Sequence, residues 1–407
     1  MPSKPRSTGP RIGLALAGGG PLGAIYEIGA LCALEEAIDG LQFNACEGYV
    51  GVSAGGFVAA GLANGMTPRE LCQSFIENEG PSRDVFDPAA LMRPAWNEYA
   101  SRLWKLPGLL VGAGLDYAFG LASRGAVLNQ LGRAVPTGLF TNDAVHERLS
   151  RVFSAPGRTN DFRRLKKRLV LVAVDLDTGE AAPFGTPGHD DVPISVAVQA
   201  SAALPGLFPP VQIGGRHYVD GALRKTLHAS VLLEQGLDLL FCLNPLVPYD
   251  GSEAPRRHDE PRHKGAVDRL VDGGLPQVLS QTFRAIIRSR MELGMKGYER
   301  QYPGTDILLF EPEPGDAKIF FTNPFSYSQR RWLAEHAYQE TRRMLQARRG
   351  AIQATLARHG LSLNGTVVDD PRRSLVDPRP RPVGRANQAL RRLETVLDDL
   401  EHRLAPA

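Results

Sequence analysis

With 407 residues, 43% of them apolar and 22% charged, the chain has the composition of one large or two ordinary globular domains, which excludes a mainly disordered protein. A formal net charge of +3, from 47 basic and 44 acidic side chains, is too near balance to point to nucleic acid. Cys32, Cys46, Cys72 and Cys242 lie far apart, with no C-x-x-C pair and no histidine at ligand spacing, so neither a disulfide framework nor a structural zinc is expected. They read as small buried side chains of a cytoplasmic, reducing environment.

Residues 1–11 are polar and basic with no apolar region and cleavage site behind them, so no secretory signal is expected. Two apolar stretches could be mistaken for membrane spans. Residues 13–34 are broken by Gly18-Gly19-Gly20-Pro21 and carry Glu27. Residues 106–122 are interrupted by Pro107 and Asp116 and fall short of the roughly 20 residues needed to cross hydrocarbon. The chain is expected to be soluble, with surface contact to a membrane at most.

In chain order, residues 11–17 form the first short buried strand, and residues 24–38 have helical spacing with Gly40 as a stop. A second strand ends at residues 49–52. Residues 54–64 make a helix of very small side chains closed by Gly65, which must lie close against other backbone. Residues 67–150 read as mostly helical, with loops around Gly80-Pro81 and Pro136-Thr137-Gly138. The Val-rich run 169–176 suits a central strand, and further strands are expected at 211–213, 217–219, 237–243 and 307–310. Residues 256–264 read as an exposed loop, 277–298 and 326–359 as helices, and 369–383 as a Pro/Arg-rich linker. A last helix, 387–404, carries Leu390, Leu393, Leu397, Leu400 and Leu404 as a seam. That seam is shorter than the three or four heptads of a coiled coil, so packing back on the domain is preferred. Alternating strands and helices indicate an α/β layered fold.

Three motifs carry chemistry. Gly18-Gly19-Gly20-Pro21-Leu22-Gly23 lies between a strand and a helix, where backbone N–H groups and the helix dipole favour negative charge. As a G-x-G-x-x-G pattern it also fits a dinucleotide site, which needs an acidic residue at the tip of the second strand. That strand ends instead at Tyr49-Val50-Gly51. Gly51-Val52-Ser53-Ala54-Gly55 is a G-x-S-x-G elbow, a sharp strand-to-helix turn that holds a serine out of the sheet. Ser53 could instead serve as a simple helix cap, but a cap needs no flanking glycines. The third motif, Tyr218-Val219-Asp220-Gly221-Ala222, places an acid at a strand end. Strand alternation puts His217 on the face opposite Asp220, and His189 and His228 have no motif around them. Ser53 also follows only about two strands, too early for an α/β-hydrolase.

Together with Gln199-Ala-Ser-Ala-Ala-Leu-Pro-Gly-Leu-Phe-Pro-Pro210, these motifs in this order resemble the patatin-like phospholipase family over residues 12–235. The resemblance implies a three-layer α/β fold, a mostly parallel central sheet flanked by helices, with a helical insertion and a helical C-terminal extension. A catalytic domain at 11–360 would contain the insertion at about 67–150, followed by a linker at 361–386 and a helix at 387–407. It implies Ser53 as nucleophile, Asp220 as proton acceptor in a Ser–Asp dyad without histidine, and amides around Gly18, Gly19 and Gly20 as oxyanion hole, with Gly23, Gly51, Gly55 and Gly221 supporting the turns. Pro21 has no N–H, so the donors must come from the glycines before it. Leu22 stands where the family commonly has Arg or Lys, which weakens the case for a phospholipid head group without touching the dyad.

The expected activity is that of a lipid acyl hydrolase working through an acyl-enzyme, with no cofactor and no metal. An acyltransferase using the same Ser53, or a non-catalytic lipid-binding module, is the alternative. A carboxylate with an ordinary pKa of about 3.9 is a poor base, so Asp220 is expected to be buried beside Ser53. The apolar helical stretch 88–131, with Trp96, Trp104, Leu106, Leu109, Leu110 and Phe119, suits a lid or acyl-chain groove as well as it suits core packing. The basic run Arg163-Arg164-x-Lys166-Lys167-Arg168 could touch anionic membrane, although a solvated edge before a strand is the simpler expectation. The partner is a lipid or acyl ester, not a nucleic acid.

Overall fold

A computed structural model describes residues 9–79, 93–118, 132, 134–224, 227–251, 269–322 and 327–376. The loop 256–264, Phe119, the Gly80-Pro81 turn, the later part of the linker and the leucine seam of 387–404 lie outside the described residues.

The strands are β1 (Ile12–Leu16), β2 (Ile38–Asp39), β3 (Gly48–Val52), β4 (Arg168–Asp175), β5 (Ala181–Phe184), β6 (Val211–Ile213), β7 (Arg216–Asp220), β8 (Leu239–Leu243), β9 (Asp306–Phe310) and β10 (Ser362–Leu363). Eight form one mixed sheet in the order β6-β7-β4-β3-β1-β8-β9, with β5 beside β4. The run β4-β3-β1-β8-β9 is parallel, and β5, β6 and β7 are antiparallel additions on the β4 side. The central strands are apolar along their length because both faces are covered. Along β1 and just beyond it, Leu14 and Leu16 enter the core on one side, while Ala15 and Ala17 enter the core on the other.

The described helices that position the site are α1 (Gly20–Ala37), α2 (Ala54–Ala63), α3 (Pro68–Cys72), α4 (Trp96–Ala118), α5 (Asp143–Phe153), α6 (Ile194–Ser201), α7 (Gly274–Gln301), α8 (Tyr327–Ala347), α9 (Arg349–Arg358) and α10 (Gly365–Asp369). Side chains of α1, α2 and α8 share one core with Leu14, Tyr49, Leu171 and Phe241. On the opposite face Ile287, Met291 and Tyr298 of α7 pack with Val50, Val170 and Leu240. The result is helix, sheet, helix: the three-layer α/β fold expected from the sequence.

Several boundaries differ from the sequence expectations. Helix α1 begins at Gly20 rather than at 24, because Pro21 in the first turn lacks only an N–H that has no intrahelical partner there. It ends at Ala37, and Gly40, at φ +88°, turns the chain after β2, which pairs with β10. The single helix expected over 326–359 is two helices that part at Arg348, whose guanidinium bonds the Leu309 carbonyl of β9. The stretch read as a linker opens inside the domain: Val367, Val368, Leu375 and Val376 are buried, and the Glu335 carboxylate accepts the amides of Leu375 at 2.7 Å and Val376 at 3.0 Å. All four cysteines are free and buried, but they are not mutually remote: Cys72 in α3 lies near enough to Cys32 in α1 to raise the Cys32 thiol's pKa. Among the described residues no helix is long and apolar enough to cross a membrane.

Candidate active site

β3 runs into α2 through Ser53, whose backbone sits at φ 54°, ψ −123°. A non-glycine residue held there costs on the order of 1–3 kcal/mol, and such strain persists only where the surroundings fix it. The surroundings are visible. The Ser53 amide donates to Ser201 Oγ at 2.8 Å, and Ser201 in turn donates to the Val172 carbonyl at 2.6 Å. Gly55 passes so near Ala17 that a Cβ would lie 2.5 Å from that carbonyl oxygen, and its amide bonds the same oxygen at 3.1 Å. Gly51 is pressed against Gly56 in the same way, and Gly221 against the Val172 carbonyl. Ser53 makes no side-chain bond that caps α2. Its hydroxyl is turned elsewhere.

It is turned to Asp220, at the end of β7. The Ser53 side chain lies near enough to that carboxylate to hold its pKa down, and the Ala222 amide donates to Asp220 Oδ1 at 2.9 Å. The Asp220 amide is held by the Ala203 carbonyl just after α6, so one short segment, 201–203, braces both members of the pair. Ser53 is 6% exposed and Asp220 3%. Burial raises the Asp220 carboxyl to about 6, opposed by the bonds from Ser53 and Ala222. The acid expected to be a poor base is therefore a better one in place. Neither His217 nor His189 stands between the two: both are exposed, and His217 lies three positions from Asp220 on the strand, on the other face.

The glycine loop completes the site. A Cβ on Gly18 would lie 3.1 Å from Ser53 Cβ and 3.7 Å from its Oγ, so the loop backbone runs directly past the hydroxyl. Gly20 is at φ +60°, a conformation that favours glycine, and Gly19 precedes the first turn of α1. Among the described residues the amides of Gly18, Gly19 and Gly20 have no backbone acceptor, which leaves donors at a helix N-terminus next to Ser53. Gly23 bonds back to the Gly19 carbonyl at 3.0 Å. Thus all nine residues singled out from the sequence come together around the C-terminal ends of β1, β3 and β7. The sequence did not single out the brace supplied by Ser201, although it is the one hydroxyl in the run Gln199-Ala-Ser-Ala-Ala.

The chain matches the patatin-like phospholipase family over residues 14–233. It belongs to that family. Membership places it, at family level, among lipid hydrolases of the phospholipase kind. Solved structures similar to this chain include VipD from Legionella pneumophila, 18% identical with a TM-score of 0.35, covering 83% of this chain and 67% of that one. ExoU of Pseudomonas aeruginosa is 16% identical with a TM-score of 0.33, covering 84% of this chain and 53% of its own. The human GIVD cytosolic phospholipase A2, in complex with methyl γ-linolenyl fluorophosphonate, is 12% identical with a TM-score of 0.30, covering 85% and 59%. The chain thus spans between 53% and 67% of the length of these structures.

Other polar groups are buried away from the dyad. Asp316, His336 and Glu340 bring ligand-type atoms within 4.8 Å of one another. They are engaged with protein: His336 Nε2 lies 2.6 Å from Asp316 Oδ2, Asp316 Oδ1 caps the short helix Ala317–Phe321, and Glu340 takes Arg343. Glu27, the charge that argued against a membrane span, is fully buried in α1. Burial raises its carboxyl well above the usual range, which favours the neutral acid.

Proposed function

We propose that the protein is a lipid acyl hydrolase that works through a Ser53–Asp220 dyad and an acyl-enzyme. The observation that carries this reading is the buried Ser53 side chain, held on strained backbone beside buried Asp220 and next to unpaired glycine amides. Asp220 takes the hydroxyl proton as Ser53 Oγ bonds to the ester carbonyl carbon. The carbonyl electrons move to oxygen, and that oxyanion accepts hydrogen bonds from the Gly18–Gly20 loop, with the N-terminus of α2 adding its dipole. Collapse breaks the ester C–O bond, and the leaving alkoxide takes the proton from Asp220. Water then gives a proton to Asp220 and attacks the acyl carbon. Release of the fatty acid returns the proton to Ser53. Loss of a single loop donor would cost on the order of a hundredfold in turnover.

A transacylase would share every step up to water and substitute an alcohol acceptor. The test is a panel of phospholipids, lysophospholipids, acylglycerols and short nitrophenyl esters, with and without added glycerol, assayed with wild type and Ser53→Ala. Free fatty acid from wild type and none above background from Ser53→Ala is expected. Acyl transfer to glycerol in place of hydrolysis would favour the transacylase. Unchanged activity in Ser53→Ala would overturn both.

A further inference from the structure

We infer that Arg284 of α7 is a positioning residue for the glycine loop, acting through the strap at residues 244–249, an inference that rests on the proposed hydrolase mechanism. β8 ends at Leu243, and Asn244 starts a turn by accepting the Leu246 amide on Oδ1 at 3.1 Å. Pro245 then packs its ring against the loop. A Cβ on Gly19 would lie 2.8 Å from Pro245 Cγ, and a Cβ on Gly23 would lie 3.0 Å from it. The wall behind the candidate oxyanion donors is therefore this proline ring, and what fixes Pro245 fixes where those amides point.

Two residues of α7, one turn apart, hold the strap. The Gln281 side-chain amide takes both backbone polar groups of Tyr249, accepting its N–H at 3.0 Å and donating to its carbonyl at 2.8 Å. Arg284 Nη1 donates to the carbonyls of Val247 at 3.1 Å and Pro245 at 3.4 Å. Arg284 is 7% exposed, its guanidinium lies 5.2 Å from the Phe320 ring centre, and among the described residues it has no carboxylate partner. Burial lowers its pKa to about 10. Buried charges ordinarily come paired. The guanidinium grips two carbonyls of the strap from one nitrogen, with charge-assisted bonds stronger than a neutral donor would make.

The test uses the full chain with Arg284→Met, Arg284→Lys, Gln281→Ala and, as a control in the same helix, Ile287→Ala. Thermal midpoint, kcat and KM on a short soluble nitrophenyl ester, and the rate of Ser53 phosphonylation by a fluorophosphonate are measured for each. Misplacement of oxyanion donors acts on the transition state, so Arg284→Met should lower kcat and phosphonylation by about tenfold or more with KM within about twofold. Arg284→Lys should recover part of the loss, and Ile287→Ala should lose thermal midpoint without losing kcat. The inference falls if Arg284→Met keeps wild-type kcat, or if Ile287→Ala loses kcat equally at an equal drop in midpoint. Should Arg284→Met not fold, Arg284→Lys and Gln281→Ala decide it by the same comparison. A wild type that neither cleaves the ester nor reacts with the probe removes the hydrolase reading and this inference together. An active wild type matched by its Arg284 variants removes only the inference.

Discussion

Burial does two opposed things at Asp220. It makes the carboxylate a stronger base by raising it to about 6, and it makes the folded protein less tolerant of the charge. Because the folded state binds this proton more tightly than the unfolded chain, the side chain's contribution to stability falls as pH rises from about 4 through 6 and stays lower above that. Asp220→Asn is therefore expected to be more stable than wild type at pH 7 by about 1–3 kcal/mol, with the difference vanishing below about pH 4, as read by urea unfolding. Over the same range, ester cleavage by wild type should climb with pH through about 6 and then level, because the base must be ionised. A flat rate between pH 5 and 7 would remove Asp220 from that role. The elbow and the Asp-Gly-Ala turn were legible in the sequence because close backbone approach admits only glycine at Gly51, Gly55 and Gly221. Ser201 was not, since one hydroxyl among small residues looks like any helix end. Nor was Arg284, whose partners Pro245 and Val247 lie 39 and 37 positions away and have only carbonyls to offer.

Among the elements, α4 presents Trp96, Leu103, Trp104, Leu110 and Val111 to solvent, with Trp104 88% exposed. It is tied to the site end of the sheet. Its N-terminal residue follows Ala95, whose amide bonds the Leu139 carbonyl, and the Leu139 amide reaches Gly206 in the proline turn beyond Ala203. Of the two roles open to this stretch, core packing does not account for a tryptophan in water, and contact with aggregated lipid is the role put to the test. Trp104→Ser with Leu110→Ser should lower hydrolysis of phospholipid vesicles by about tenfold or more while short soluble esters are cleaved at the wild-type rate. Equal loss on both substrates would return α4 to a structural role. The buried strands were readable because an apolar run of fixed length has few other uses. The break at Arg348 and the two-residue pair of β2 with β10 were not, because each is decided by a contact far along the chain, Leu309 in the first case and Leu363 against Ile38 in the second.

For the whole molecule, the family match ends at 233 while the sheet does not. β1 lies between β3 and β8, and β8 begins at Leu239. Cutting the chain after Gly236 removes β8, β9 and the α7 layer that covers Val50, Val170 and Leu240. Such a fragment is expected to show no cooperative thermal transition and no esterase activity, and a sharp transition from it would mean that the motif-bearing half folds by itself. The same arrangement constrains synthesis. The Arg11 amide is held by the Asp238 carboxylate, 227 residues further on. At roughly 5–20 residues per second, a ribosome delivers β8 some tens of seconds after β1. Throughout that interval the nascent polypeptide carries a finished apolar ribbon with one bare hydrogen-bonding edge, so recovery of native protein should hinge on chaperones that shield Ile12–Leu16 until its neighbour arrives.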